Sequence, residues 1–343
     1  MIYVEEYQGQ SDQWDDYVNA HPDGLNYHRF GWRRVIVESF GHAAPYLMAR
    51  DSVGNTKGIL PLIHLKSRLF GSILVSVPFV NYGGLLTDSH EASVALLEKA
   101  IQLRERLGAS HIELRHLRDM SQGLASRMHK VTMLLPLEAD TDTQWCQFNA
   151  KLRNQVRKAQ KSGLTARWGG VELLDDFYEI FVRNMRDLGT PVYSRRLFEQ
   201  VLTIFPDCSR IIGVYLDGRV VAAGLASWFR STLEIPWASS NKDFKALCPN
   251  NLLYWEAIRH AIEQGFTTFD FGRSTPGEGT FRFKEQWGAR PHSLHWQYAL
   301  KNGAVLPDIS PHNPKYELAI SIWQRLPLWV TRILGPAIVR NIP

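Results

Sequence analysis

ALLEKAIQLRERLGASHIELRHL (residues 95–117) and LYWEAIRHAIEQGFTTFDFGRS (residues 253–274) share one layout. In each, apolar residues recur at helical spacing until a glycine, Gly108 or Gly265, closes the pattern, and a short apolar strand follows. An acidic residue falls five positions after the glycine both times, at Glu113 and Asp270. A second pair lies upstream. YLMARDSVGNTKGILPLIHL (46–65) and RIIGVYLDGRVVAAGLASWF (210–229) each set a polar, glycine-bearing turn between two apolar runs, the pattern of a β-hairpin. The same elements in the same order twice predict a duplicated α/β unit: helices, a hairpin, another strand, a helix, a strand, then a final helix and closing strands. The polar, helix-poor stretch PLEADTDTQW (136–145) marks the junction. The expected division is a first domain over residues 1–140, a second over 150–305 and a tail over 306–343.

Composition agrees with two ordinary domains. The 343 residues are 45% hydrophobic and 21% charged, long enough for about two cores. A net charge of +5 accommodates an anionic partner without requiring one. The opening MIYVEEYQGQ lacks the basic-then-apolar pattern of a secretion signal. No apolar run reaches the ~18 to 20 residues of a membrane span. A cytoplasmic location is therefore expected. Cys146, Cys208 and Cys248 form neither a Cys-x-x-Cys pair nor a disulfide framework. His292 and His295 lie three apart in an expected strand and so face opposite sides, which argues against shared metal ligation. Neither a Gly-Lys-Ser/Thr phosphate loop nor a Gly-x-Ser-x-Gly elbow is present.

Two further stretches carry candidate chemistry. KLRNQVRKAQKSGL (151–164) reads as a helix closed by Gly163. Leu152, Val156 and Ala159 form one narrow stripe; Arg153, Arg157 and Lys161 stack opposite, widened by Lys151 and Lys158, with no acid in the segment. Like charges on one helix repel, so a phosphate-bearing partner would offset a cost. A solvated face is the plainer alternative. FDFGRSTPGEGTFRFKEQWGARP (269–291) places Lys284 just after a loop with Gly272, Gly277 and Gly279, among Phe281, Phe283 and Trp287.

Together these stretches carry a resemblance. KLRNQVRKAQKSG resembles the basic helix of the Fem-type aminoacyl transferases, which build peptidoglycan cross-bridges, and TFRFKEQWGARP resembles that family's glycine–aromatic–Phe–Lys–x–x–aromatic–Gly signature. With DFGRST, MRDLGTPVYSRRLF and PFVNYGGLL the chain is most similar to a FemAB-like branch associated with exopolysaccharide and PEP-CTERM/exosortase systems, over about residues 25 to 340. The resemblance implies an α/β fold of two GNAT-like acyltransferase domains, each a mixed, mostly antiparallel sheet flanked by helices. It also implies transfer of an aminoacyl or acyl group to an amine of a peptidoglycan or exopolysaccharide precursor, nucleotide- or lipid-linked. No tightly bound cofactor is implied; the donor is an aminoacyl-tRNA or an acyl-CoA. The chain departs from the pattern twice. It lacks a coiled-coil arm between the domains, and NKDFKALCPNNLL (241–253) has no glycine where ordinary GNAT enzymes cradle the coenzyme A diphosphate. A coenzyme A-dependent N-acetyltransferase of an amino sugar and a non-catalytic binding module remain alternatives.

Amide formation needs a neutral amine, stabilisation of a tetrahedral oxyanion and a route for a proton. Lys284 suits the oxyanion, and Arg273, Ser274 and Trp287 are candidate substrate contacts beside it. Asp270, pointing away from Phe269 and Phe271, orients a substrate or takes a proton, or else fixes the loop with Arg273. Tyr82 in VNYGG and Tyr193 in GTPVYS read as exposed tips suited to a sugar or peptide. The tail SIWQRLPLWVTRILGPAIVRNIP (321–343) is aromatic and basic. Either it meets a membrane interface through Trp323, Trp329, Arg325, Arg332 and Arg340, or it packs back on the protein.

Overall fold

The computed structural model describes residues 1–67, 71–120, 123–301, 306 and 314–342. The chain forms two units. The first comprises the described residues of Met1–Lys130, Ser293–Ile309 and Asn341–Pro343, the second those of Val131–His292 and Ser310–Arg340. In chain order the first unit holds β1 (Tyr3–Glu6), α1 (Ser11–Ala20), α2 (Gly31–Phe40), β2 (Leu47–Arg50), β3 (Thr56–Leu60), β4 (Ile63–Ser67), β5 (Gly71–Ser76), β6 (Leu86–Thr87), α3 (His90–Arg106) and β7 (His111–His116). β8 (Ala125–Pro136) crosses from the first unit to the second. The second holds α4 (Thr141–Gln147), α5 (Ala150–Lys161), β9 (Thr165–Gly169), α6 (Leu174–Leu188), α7 (Arg195–Ile204), β10 (Ser209–Leu216), β11 (Arg219–Phe229), β12 (Thr232–Ser240), α8 (Pro249–Glu263), β13 (Thr268–Ser274) and α9 (Gly279–Glu285). β14 (Arg290–Leu300) then returns mostly to the first unit, and α10 (Pro314–Arg325) and α11 (Leu328–Val339) belong to the second.

The repeated helix–glycine–strand layout forms the same object twice. β5 and β7 are parallel and joined through α3; β12 and β13 are parallel and joined through α8. Each crossover helix ends identically. Gly108 (φ 64°) donates to Glu105 O and Ala109 to Arg104 O; Gly265 (φ 79°) donates to Ile262 O and Phe266 to Ala261 O. These are the paired bonds of a Schellman cap, which needs the left-handed residue that glycine supplies most cheaply. The remaining pairings within each unit are antiparallel. In the second unit the order is β8-β13-β12-β11-β10-β9. In the first it is β1-β2-β3-β6 and, separately, β4-β5-β7-β14. Pro61, without an N–H for the ladder, interrupts the extended run where β3 gives way to β4 in another sheet.

The boundaries differ from the sequence expectation of 1–140 and 150–305. β14 pairs along β7, from His295↔His116 to Leu300↔His111, and so completes the first unit. β7 carries a buried ion pair, Arg115 Nε to Glu113 Oε1 at 2.7 Å, and the Arg115 guanidinium lies 4.4 Å from the Trp296 ring of β14. A charged edge left open there would be costly; β14 covers it. The tail is likewise not a separate element: α10 and α11 pack on α6. Gln324 Nε2 donates to Asp187 O at 3.2 Å, and Trp323 and Thr331 are buried. The described residues of the tail pack on the protein through one face, while Trp329 and Arg325 on the other stay exposed.

The second unit's core gathers around α8, apolar on nearly every side through Leu252, Leu253, Tyr254, Ala257, Ile258 and Ala261. Such a helix is stable only when enclosed. It lies between the sheet and α5, whose stripe Leu152, Val156 and Ala159 is buried as the spacing predicts.

Candidate functional site

The site begins as a distortion of β13. Phe269 and Phe271 point into the aromatic core, with rings 6.3 and 5.1 Å from Tyr254, and Asp270 points the other way. Asp270 is 1% exposed; its Oδ1 accepts from Thr132 Oγ1 of β8 at 2.6 Å and from Gly272 N at 2.8 Å. The second bond needs a bend, and Gly272 supplies it at φ 73°. Pairing between β13 and β8 accordingly shifts register between Asp270 and Arg273. The bulge presents two successive carbonyls, and Lys284 of α9 fills the position they create: Nζ donates to Gly272 O at 2.9 Å and to Arg273 O at 3.0 Å.

Lys284 is 7% exposed. Burial lowers its pKa to about 8, against the opposite pull of the Asp270 and Glu234 carboxylates; the Arg273 cation adds to the lowering. The amine thus stays largely protonated at neutral pH. An ammonium has three N–H donors. Two meet backbone oxygens, and the third has no hydrogen-bond acceptor among the described residues. The aromatic residues flanking it in sequence face the core. Phe283 and Trp287 pack with Tyr254, at 5.3 and 6.4 Å, and Trp287 meets Phe148 edge-on at 5.2 Å, so rings position α9 while backbone oxygens hold the charge.

Glu234 belongs to this cluster and was not singled out from sequence. It is 3% exposed and lies opposite Asp270 in the parallel β12–β13 register. The available signal is an acid inside the apolar run Leu233–Trp237. Thr132 had no such signal. Ser274 closes β13 as a buried residue whose hydroxyl has no partner among the described residues. Arg273 is half-buried and contributes its carbonyl to the lysine. Trp287 also lines a cavity of about 510 Å³ with Phe148, Asn149, Gln286 and Arg290; Lys284 itself does not line it.

The other candidates sit on other segments of the chain, of which α5 begins beside α9: Asn149 Nδ2 donates to Gln286 O at 3.3 Å. On α5, Lys151, Arg157, Lys158 and Lys161 are exposed and Arg153 half-buried, and none of the five pairs with a carboxylate among the described residues. The Arg157 guanidinium lies 5.5 Å from the Trp145 ring. Tyr193 is half-buried, its ring stacked 6.4 Å from Phe181 and its carbonyl accepting from Tyr178 Oη. Tyr82 is a clear correction. It belongs to the first unit and is only 6% exposed, packed edge-on against Tyr27 at 5.2 Å. Gly83 and Gly84 do not raise a tip there. They let the loop press on β7, where Gly83 N donates to Arg115 O and Leu85 N to His116 Nε2.

Residues 147–285 match the family model described as an acetyltransferase (GNAT) domain. The lipid II:glycine glycyltransferases of two Staphylococcus epidermidis strains are 30% identical over 84 residues, covering 22% of this chain and 19% of each relative. The match therefore spans about a fifth of the length of those relatives. Among solved structures, FemX has a TM-score of 0.68 at 17% identity, covering 92% of this chain and all of its own. A tandem GNAT protein from the clavulanic acid pathway has a TM-score of 0.56 at 12% identity, covering 89% of this chain and 100% of its own. The chain has a GNAT-like acyltransferase fold, and the segment 147–285, which carries Asp270 and Lys284, is the part similar to a GNAT acetyltransferase domain.

Proposed function

We propose that this protein is an amide-forming N-acyltransferase of the Fem type, which moves an aminoacyl group from aminoacyl-tRNA to an amine of a cell-envelope precursor at the cytoplasmic face of the membrane. The observation that carries the proposal is Lys284: a buried cation fixed by two carbonyls of the β13 bulge, with one N–H to spare. The acceptor amine attacks the acyl carbon, the carbonyl electrons move onto oxygen, and the oxyanion takes the third N–H of Lys284. Collapse restores the carbonyl and expels the ribose oxygen, which leaves with the proton lost by the amine. A preorganised donor in a partly dry setting is worth most at the oxyanion stage. Asp270 is a positioning residue: through Thr132 and Gly272 it builds the bulge that aims the lysine. Ser274, Arg273 and Trp287 are proposed to meet the substrate around it. Arg153 and Arg157 are proposed to bind phosphates of the tRNA or of a nucleotide- or lipid-linked precursor. The precursor is of the peptidoglycan or exopolysaccharide class, and the similarity to glycyltransferases acting on lipid II supports the former.

One alternative has an observation of its own. The matching family model is described as an acetyltransferase, which favours acetyl-CoA as donor. The start of α8 weighs against it. Pro249 has no N–H and that of Asn251 turns back to Cys248 O at 3.1 Å, which leaves Asn250 as the one residue of the first three whose N–H is not so used. A diphosphate needs such donors free. Thermal melting with each donor in turn separates the two. A ligand at 100 times its Kd stabilises the native state by about 2.7 kcal/mol. Aminoacyl-tRNA is expected to raise the melting temperature and acetyl-CoA to leave it unchanged; the reverse pattern would overturn the assignment of the donor.

A further inference from the structure

α10 and α11 have two unlike faces. The inner face is settled: Thr331, Gly335 and Val339, spaced i, i+4, i+8, are the buried residues of α11. A Cβ on Gly335 would lie 2.8 Å from both Val192 N and Val192 Cγ1, so the helix seats closely in the second unit. The outer face is apolar as well. Trp329 and Ile333 are 67% and 66% exposed, and Leu334 joins them; on α10, Leu318 and Ile322 are exposed one turn apart. Five of the twelve large apolar side chains exposed among the described residues thus sit on these two helices. Single exposed apolar residues need no explanation, but a cluster on adjacent helices does.

Charge selects what covers that face. The one acid on these helices is the exposed Glu317 in the first turn of α10; from Leu318 to Pro343 there is no aspartate or glutamate, while Arg325, Arg332 and Arg340 are all exposed. At 100° per residue, Trp329, Ile333 and Arg340 fall on the side of α11 away from Thr331, Gly335 and Val339. Aromatic and aliphatic side chains mixed with arginine, with a single acid at the start of α10, match the boundary of an anionic bilayer, where rings enter the headgroup layer and guanidinium groups meet phosphates. Neither helix is long and apolar enough to cross a membrane. We infer that α10 and α11 form an interfacial docking surface for an anionic lipid bilayer, lying on it through Leu318, Ile322, Trp329 and Ile333 with Arg325 and Arg340 at the phosphates. The inference rests on the membrane-face location proposed above and specifies the surface that provides it.

Vesicle co-sedimentation tests it without any turnover, so it stands or falls separately from the transferase reading. The full chain is mixed with vesicles of phosphatidylglycerol and phosphatidylcholine, or of phosphatidylcholine alone. The expected result is binding to the anionic vesicles that weakens with salt. Trp329→Ser with Ile333→Ser, both exposed and so compatible with folding, is expected to lower partitioning by more than about tenfold. Arg325→Gln should lower it about fivefold on anionic vesicles and leave neutral ones unchanged. Equal binding by the double variant, or no binding of the wild type to anionic vesicles, would overturn the inference. So would sedimentation velocity in which the double substitution converts a dimer to a monomer without changing vesicle binding, because the face would then be covered by a second copy of the chain.

Discussion

Replacing Lys284 by methionine removes the ammonium and keeps most of the side-chain volume. The structure sets the scale of both consequences. A pKa brought down from 10.5 to about 8 corresponds to about 3 kcal/mol of preference for the uncharged amine. Methionine removes that burden but leaves Gly272 O and Arg273 O without their shared donor, a loss of about 1–3 kcal/mol for each enclosed carbonyl. The terms oppose each other, so the variant should fold with a stability within a few kcal/mol of wild type. Catalysis has no such compensation: losing one oxyanion donor costs about 10² to 10³ in kcat. If the charge holds the acceptor instead, the loss falls mainly on KM. Steady-state kinetics on the aminoacyl acceptor, with circular dichroism to confirm folding, reads both. Lys284→Arg should rescue poorly, because a planar fork cannot satisfy two adjacent carbonyls and an oxyanion as a compact ammonium does. Stability carries an independent signature. The folded pKa lies below the unfolded one, so between about pH 8 and 10.5 the unfolded chain binds more protons and wild-type stability rises with pH. The methionine variant should lack that rise. A folded Lys284→Met protein with wild-type kcat and KM would refute the role given to the lysine.

Arg153→Ala with Arg157→Ala should weaken binding of the phosphate-bearing substrate and flatten its salt dependence, measured as affinity across ionic strengths; an unchanged slope would make α5 a solvated face. Activity that requires protonated Lys284 should decline above about pH 8. Asp270→Asn removes a carboxylate that raises the lysine's pKa, so the alkaline limb of the pH–rate profile should move to lower pH, whereas a role confined to folding would leave the limb in place. Gly335→Ala should loosen α11 against Val192 and speed limited proteolysis of the C-terminal helices, given the 2.8 Å approach there; proteolysis at the wild-type rate would show the seat to be compliant.

The duplicated unit was legible because its marker is local. A glycine in a Schellman cap announces the end of α3 and of α8 wherever the helix sits. The stripe of α5 was legible for the same reason, since helical spacing alone decides which side is buried. Lys284 could be picked out from the company it keeps in sequence, but not its restraint. The bulge arises from Thr132, distant in the chain, meeting Asp270, and nothing local encodes that meeting. β14 was assigned to the wrong unit because a closing strand's partner is chosen by an open edge elsewhere, here β7 with its buried Glu113–Arg115 pair. Tyr82 failed differently. A tyrosine before two glycines looks like a turn, yet the same glycines permit the close approach to His116 that buries the loop. Glycine marks where a backbone is unusual and leaves open whether it projects or packs.

The most direct measurement is the mass of an envelope precursor bearing a free amine after incubation with aminoacyl-tRNA and the purified protein. Wild type is expected to add one aminoacyl residue to that amine, and folded Lys284→Met to do so at least about a hundredfold more slowly. No mass gain with aminoacyl-tRNA or acyl-CoA, or equal rates for the two proteins, would contradict amide formation at the Lys284 site.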